Sequence, residues 1–138
     1  MTPILLIVFQ LLYLAWVWSE SNEDAPYIRA GKGIFHKQEL IARLSAGAVM
    51  WFLYCWLTAL LQPDYFIAKA IGSLLVLGSQ YWILFEIRLN RATGKKWWYV
   101  GTTAWLDKKF EGKELILWLG KFFVLGLGIC VYYYHEMP

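Results

Sequence analysis

Apolar residues fill four stretches of this chain almost without interruption, at about positions 3–18, 44–61, 66–87 and 115–134, and the charged residues gather between them. Lengths of about 16 to 22 residues suit helices that cross the hydrocarbon of a bilayer, where only a helix or a closed barrel satisfies its own backbone groups. The pattern predicts an all-α integral membrane protein, one domain over 1–138 with four transmembrane helices. Only residues 62–65 separate the second stretch from the third, so these two form a tight helical hairpin. No basic flank precedes the first stretch, and bulky then acidic residues, Trp16 to Glu20, follow it. It therefore reads as a retained helix and not as a cleaved signal segment.

Composition agrees: 59% of residues are hydrophobic and 19% aromatic, against roughly 45 to 50% apolar residues in soluble domains. Charge placement says more. Of 13 basic residues, all but Lys69 and Lys121 lie in or beside the segments 19–43 and 88–114. With four spans these segments share one side, and their excess of Lys and Arg assigns that side to the cytoplasm. The expected location is a bacterial inner membrane, with both termini and the 62–65 turn outside. In the second cytoplasmic loop Lys95, Lys96, Trp97, Trp98 and Tyr99 are followed by Trp105, Lys108 and Lys109. Aromatic rings flanked by lysines suit the headgroup layer, with rings at the acyl boundary and ammonium groups on anionic lipid headgroups. The bilayer and further copies of the chain are the expected partners, and nucleic acid is not.

Within the spans, small residues mark where helices approach, and polar residues are expensive enough to be informative. Ala42 and Ala46 in the second span, and Ala68 and Gly72 in the third, are each one turn apart and offer packing faces for assembly. Gln10 and Gln80 are expected to bond across helices or to border a pore. Lys121 lies six residues past residue 115, roughly 9 Å deep at 1.5 Å per residue. It either snorkels to the surface or lines a pore, and Glu86 at matching depth is its natural partner. Lys69 is expected to snorkel outward near Asp64. Cys55 and Cys130 sit at matching height, about 22 Å up, but a disulfide also needs facing Cβ vectors, and a buried cysteine is usually a small apolar residue.

The cytoplasmic segments hold the acid-base candidates. Glu20, Glu23, Asp24, His36, Glu39, Asp107, Glu111 and Glu114 all lie there, and His36 with Glu39 is an i, i+3 pair able to share a metal ion on a helix. One histidine is thin support, and the metal question stays open. Asn22 to Pro26 reads as a helix start with an acidic first turn, and Gly31-Lys32-Gly33 as a break. The chain matches none of H-E-x-x-H, a Gly-rich phosphate loop, G-x-S-x-G, C-x-x-C or a nucleophilic cysteine with a nearby histidine. No cofactor is expected, and a non-enzymatic role is favoured over catalysis.

The run Phe85-Glu86-Ile87-Arg88-Leu89-Asn90, then Gly94-Lys95-Lys96-Trp97-Trp98-Tyr99-Val100-Gly101 and Ala104-Trp105-Leu106-Asp107-Lys108, with Asp24-Ala25 and Gly31-Lys32-Gly33-Ile34-Phe35-His36 upstream, resembles small uncharacterised multi-span membrane proteins of bacteria, particularly Bacteroidota, and of their phages. The resemblance implies a bacterial or phage origin and one cytoplasmic cluster of Asp24, His36, Glu86, Asn90, Gly101 and Asp107. It implies no activity.

With no soluble domain, the expected function is that of a homo-oligomer forming a pore or permeabilising the membrane in the manner of a holin. Its pore-lining candidates are Gln10, Gln80, Glu86 and Lys121. One alternative is an enzyme acting on lipid or lipid-linked phosphate at the cytoplasmic face through Asp24, His36, Glu39, Asn90 and Asp107. Another is a non-catalytic scaffold or partner subunit.

Overall fold

Long apolar runs free of breakers coil as helices, and in the computed structural model each of the four runs lies in one. The described residues are 2–31, 37–61, 64–99, 109–110 and 112–134. Among them α1 spans Thr2–Arg29, α2 Lys37–Leu61, α3 Phe66–Ala92 and α4 Glu114–Tyr133, with no strand. Three of these are long and apolar enough to cross a membrane, through Ile41–Leu60 in α2, Phe66–Ala92 and Glu114–Tyr133. The apolar run of α1 starts among residues 2, 3 and 5, whose side chains lie outside the described ones.

The helices are longer than their apolar runs. Residues 19–29, 37–43 and 88–92, expected as loop, continue α1, α2 and α3. Asn22 to Pro26 is therefore no helix start, and Pro26 sits inside α1. A proline there removes only the bond to the carbonyl of Asn22, and both residues are exposed, so solvent can take that carbonyl. α1 stops where a residue without a Cβ lets the backbone turn: Gly31 has φ of 66° and its N–H bonds the Ile28 carbonyl at 3.0 Å.

Every other helix packs on α3. Gly72, Ser79, Ile83 and Asn90 make one buried stripe on it, and Ser73 and Leu77 belong to another. Gly72 meets Tyr132 and Glu86 pairs with Lys121, so α4 runs antiparallel to α3. Cys55 faces Ser73 while Arg43 lies over Phe85, so α2 is antiparallel to α3 as well. The Phe9 ring meets that of Tyr54 at a tilt while Glu20 and Asp24 reach Arg43, which sets α1 antiparallel to α2. The polar extensions of α1, α2 and α3 thus meet at one end, and the 64–65 turn lies at the other.

The α3–α4 seam is the tightest. A Cβ on Gly72 would stand 2.6 Å from the backbone nitrogen of Tyr132, and one on Gly128 would stand 2.9 Å from that of Val76. Gly72 thus serves a contact within the chain. The small residues of α2 make no such approach: Ala42 is exposed, Ala46 half-buried, and the nearest atom to a Cβ on Gly47 is in the Trp16 ring, 4.0 Å away. Ala68 is half-buried. Cys55 is buried and Cys130 exposed, both as free thiols, so matched height did not bring them face to face.

Apolar side chains also cover the outside. Leu11, Leu12, Phe52, Trp56, Leu60, Ile67, Ile71, Leu119 and Phe123 are all exposed. Water tolerates contiguous apolar surface poorly, and such faces suit the hydrocarbon of a bilayer.

Candidate functional site

Helical spacing puts Leu117, Trp118 and Lys121 on the face of α4 that meets α3. The ammonium of Lys121 pairs with Glu86 Oε2, and its side chain is 0% exposed. Trp82 Nε1 donates to the other carboxylate oxygen of Glu86 at 2.5 Å. The Lys121 nitrogen also lies 4.6 Å from the Trp82 ring centroid and 4.5 Å from that of Trp118. A charge taken out of water is held only if its lost hydration is replaced, here by one carboxylate and two ring faces. Lys121 therefore neither snorkels nor opens to the outside of the bundle.

A second ion group joins α1 to α2. Glu20 and Asp24 are one turn apart on the extension of α1, and Arg43 spans them: Nε donates to Glu20 Oε2 at 2.8 Å and Nη2 to Asp24 Oδ1 at 2.6 Å. Trp16 Nε1 donates to the remaining Glu20 oxygen at 3.0 Å. Asp24 Oδ2 is buried with no hydrogen-bond partner, and so is Arg88 Nε, whose guanidinium lies 4.2 Å from the Trp18 ring centroid. A cavity of about 500 Å³ opens beside Glu20, Glu23, Asp24, Tyr27, Ala42 and Arg43.

Further along the bundle the two amides meet, Gln10 Nε2 donating to Gln80 Oε1 at 2.7 Å. They border a cavity of about 290 Å³ with Tyr54, Ser73 and Tyr132. Tyr54 and Tyr132 hydroxyls are 3.2 Å apart. Between these amides and Arg43 stands an aromatic group: Tyr13 on Trp16, Trp16 on Tyr81 and Tyr81 on Phe85, with centroids 5.7, 5.3 and 5.4 Å apart. Tyr13 also donates to the Leu77 carbonyl at 2.5 Å.

Of the expected cytoplasmic cluster, Asp24, Glu86 and Asn90 are among the described residues, and each has its own partners. Asp24 binds Arg43 and Glu86 binds Lys121. Asn90 instead holds the chain after α3, its Nδ2 donating to the carbonyls of Trp97 at 3.1 Å and Tyr99 at 2.7 Å. Trp118 Nε1 donates to the Trp98 carbonyl at 2.9 Å, and Arg29 reaches the Ala92 carbonyl. Trp97 and Trp98 remain exposed, with Lys95 over the Tyr99 ring at 4.3 Å and Lys96 over the Trp98 ring at 5.4 Å. Lys109 is exposed. His36, Gly101, Trp105, Asp107, Lys108, Glu111 and the Glu39 side chain lie outside the described residues.

Sequence reasoning missed the Arg43 bridge, the partner role of Gly128, and Lys69, which is 4% exposed and covered by protein instead of reaching outward. Among the described residues, no three His, Cys, Asp or Glu side chains converge as metal ligands do. No family model, curated protein or solved structure matches the chain.

Proposed function

We propose that the chain is an integral protein of the bacterial inner membrane that crosses it four times and passes a small polar species through its own interior, without catalysis. Both termini face outward in this reading, and the two basic segments face the cytoplasm. The supporting observation is that Gln10, Ser73, Gln80, Tyr54 and Tyr132 border one cavity between the helices, together with Val76, Leu77, Ile129 and Tyr133, while the outward faces carry leucine, isoleucine, phenylalanine and tryptophan. A pore between copies would be lined by those apolar faces. Amides and hydroxyls, in contrast, replace the hydration of a passing solute, and the aromatic group from Tyr13 to Phe85 forms the constriction. Self-association is part of the proposal, each copy keeping its own path. Gly78, Gly120 and Gly126 have nothing within 4 Å of where a Cβ would stand, which admits a second helix.

Purified protein in liposomes tests the reading through dye-reported proton flux and light-scattering measurement of water and small-solute entry. Vesicles leakier than protein-free controls are expected, with the leak reduced by Gln80→Leu. Vesicles as tight as controls would reject permeation and favour the partner-subunit reading, for which the Lys121–Glu86 pair held within the bundle speaks. Topology has its own check in a cysteine-free background. Lys95→Cys is expected to be labelled only from the cytoplasm and Met137→Cys only from outside, and periplasmic labelling at 95 would invert the orientation.

A further inference from the structure

The polar extension of α1 leaves one acceptor oxygen unused in a place where that is expensive. Arg43 occupies Glu20 Oε2 and Asp24 Oδ1, and Trp16 occupies Glu20 Oε1. Asp24 Oδ2 remains, buried and without a hydrogen-bond partner, on a side chain only 5% exposed. The Asp24 side chain is among those that line the cavity of about 500 Å³, with Glu20, Glu23, Tyr27, Ala42 and Arg43. Among the described lining residues, three carboxylates stand against one guanidinium, an excess of two negative charges.

We propose that this pocket binds a primary ammonium group, R–NH3⁺, which donates to Asp24 Oδ2 while Glu23 and the Tyr27 ring flank its charge. The excess negative charge excludes anions. A divalent metal needs several uncommitted oxygens together, and here the buried ones other than Asp24 Oδ2 are already taken by Arg43 and Trp16. A quaternary ammonium has no N–H and leaves the orphan oxygen unsatisfied, whereas an N–H donor to a carboxylate forms a charge-assisted bond. Tyr27, one turn from Glu23, offers a ring to the same cation. The volume exceeds what an ammonium alone fills, so the group arrives on a larger carrier. That carrier is either an aminophospholipid headgroup or a free amine. The inference does not depend on permeation.

The experiment places the full chain in nanodiscs of phosphatidylcholine with phosphatidylglycerol, and in discs where phosphatidylethanolamine replaces the phosphatidylcholine. Retained lipid is counted by native mass spectrometry and thermal stability is followed in parallel. One charge-assisted hydrogen bond predicts a preference for the ethanolamine lipid of about tenfold. Asp24→Asn keeps an oxygen for Arg43 but abolishes the preference, and Ala42→Leu, which fills the cavity and leaves every carboxylate in place, does the same. A third arm adds ethanolamine or spermidine to the phosphatidylcholine discs. Stabilisation there supports the site with a free amine as its source, and stabilisation by the lipid alone supports it with the headgroup as its source. Equal retention of both lipids with no gain from amines overturns the proposal. A preference that persists in Ala42→Leu overturns it too, even if Asp24→Asn does not fold.

Discussion

The seam between α3 and α4 and the seam between α1 and α2 solve the same problem differently. Both must hold ionised side chains between helices. In the first, Gly72 and Gly128 let backbones touch, and the Lys121 ammonium is sealed beneath Trp82 and Trp118 while its partner Glu86 keeps about a fifth of its side chain exposed. In the second, Trp16 stands where Gly47 would admit a neighbour, the helices stay apart, and the Arg43 bridge keeps about a fifth of its guanidinium side chain exposed next to an open cavity. Small residues therefore decide more than packing. They decide whether a polar pair becomes a sealed lock or stays part of a site that a ligand can enter.

The largest expected effect tests the lock. Lys121→Met leaves Glu86 with its charge and no cation, and removal of one partner from a buried pair costs about 3 to 5 kcal/mol. Equilibrium unfolding in mixed micelles measures it. Adding Glu86→Gln to Lys121→Met removes the orphaned charge and restores most of the loss. If Lys121→Met alone unfolded like the parent, the pair would not be sealed and the contrast between the seams would fail.

Next in size is Gly72→Leu. Its new side chain has to displace the Tyr132 backbone and not merely a flexible side chain, so a loss of about 2 to 3 kcal/mol is expected. Ala46→Leu, on the half-buried and looser α2 face, is expected to change stability by less than about 1 kcal/mol. Similar losses at both positions would show that the glycine seam is not the tighter one. Below these comes Arg43→Met, at about 1 to 2 kcal/mol, because water reaches Arg43 and Glu20 and screens what is lost.

The two seams were also unequally legible in the sequence. Hydrophobic runs located every helix, because apolar length is a local property. Depth arithmetic put Lys121 and Glu86 at one level, and antiparallel neighbours at one level can pair. The Arg43 bridge escaped because Pro26 suggested a boundary, which turned Asp24 into the first turn of a new helix. Had α1 been continued through Pro26, Glu20 and Asp24 would have stood one turn apart opposite the only arginine at the start of α2. Gly72 was legible as a packing residue, but whether it faces α4 or another copy depends on helix rotation. A single sequence does not encode that locally. Nor does it show that Asn90 serves the backbone of Trp97 and Tyr99, since carbonyl partners leave no signature in residue type.

The smallest stability effect carries the most functional information. Gln10→Leu removes one amide hydrogen bond between α1 and α3, and such bonds between helices in membranes average about 0.6 kcal/mol. The partner Gln80 then borders the cavity of about 290 Å³ without its 2.7 Å donor, but retains the hydroxyls of Ser73 and Tyr54 around it. Replacing both amides with leucine removes the stranded group as well, so the double variant should melt within a degree or two of the parent. An interior path predicts that the same double variant loses most of its liposome permeability, because the amides that replace solute hydration are gone and leucine narrows the cavity. A purely structural pair predicts the reverse pattern, with permeability unchanged and stability following the hydrogen bond. Stability and flux measured on one preparation therefore decide whether the looser side of the bundle conducts or only packs.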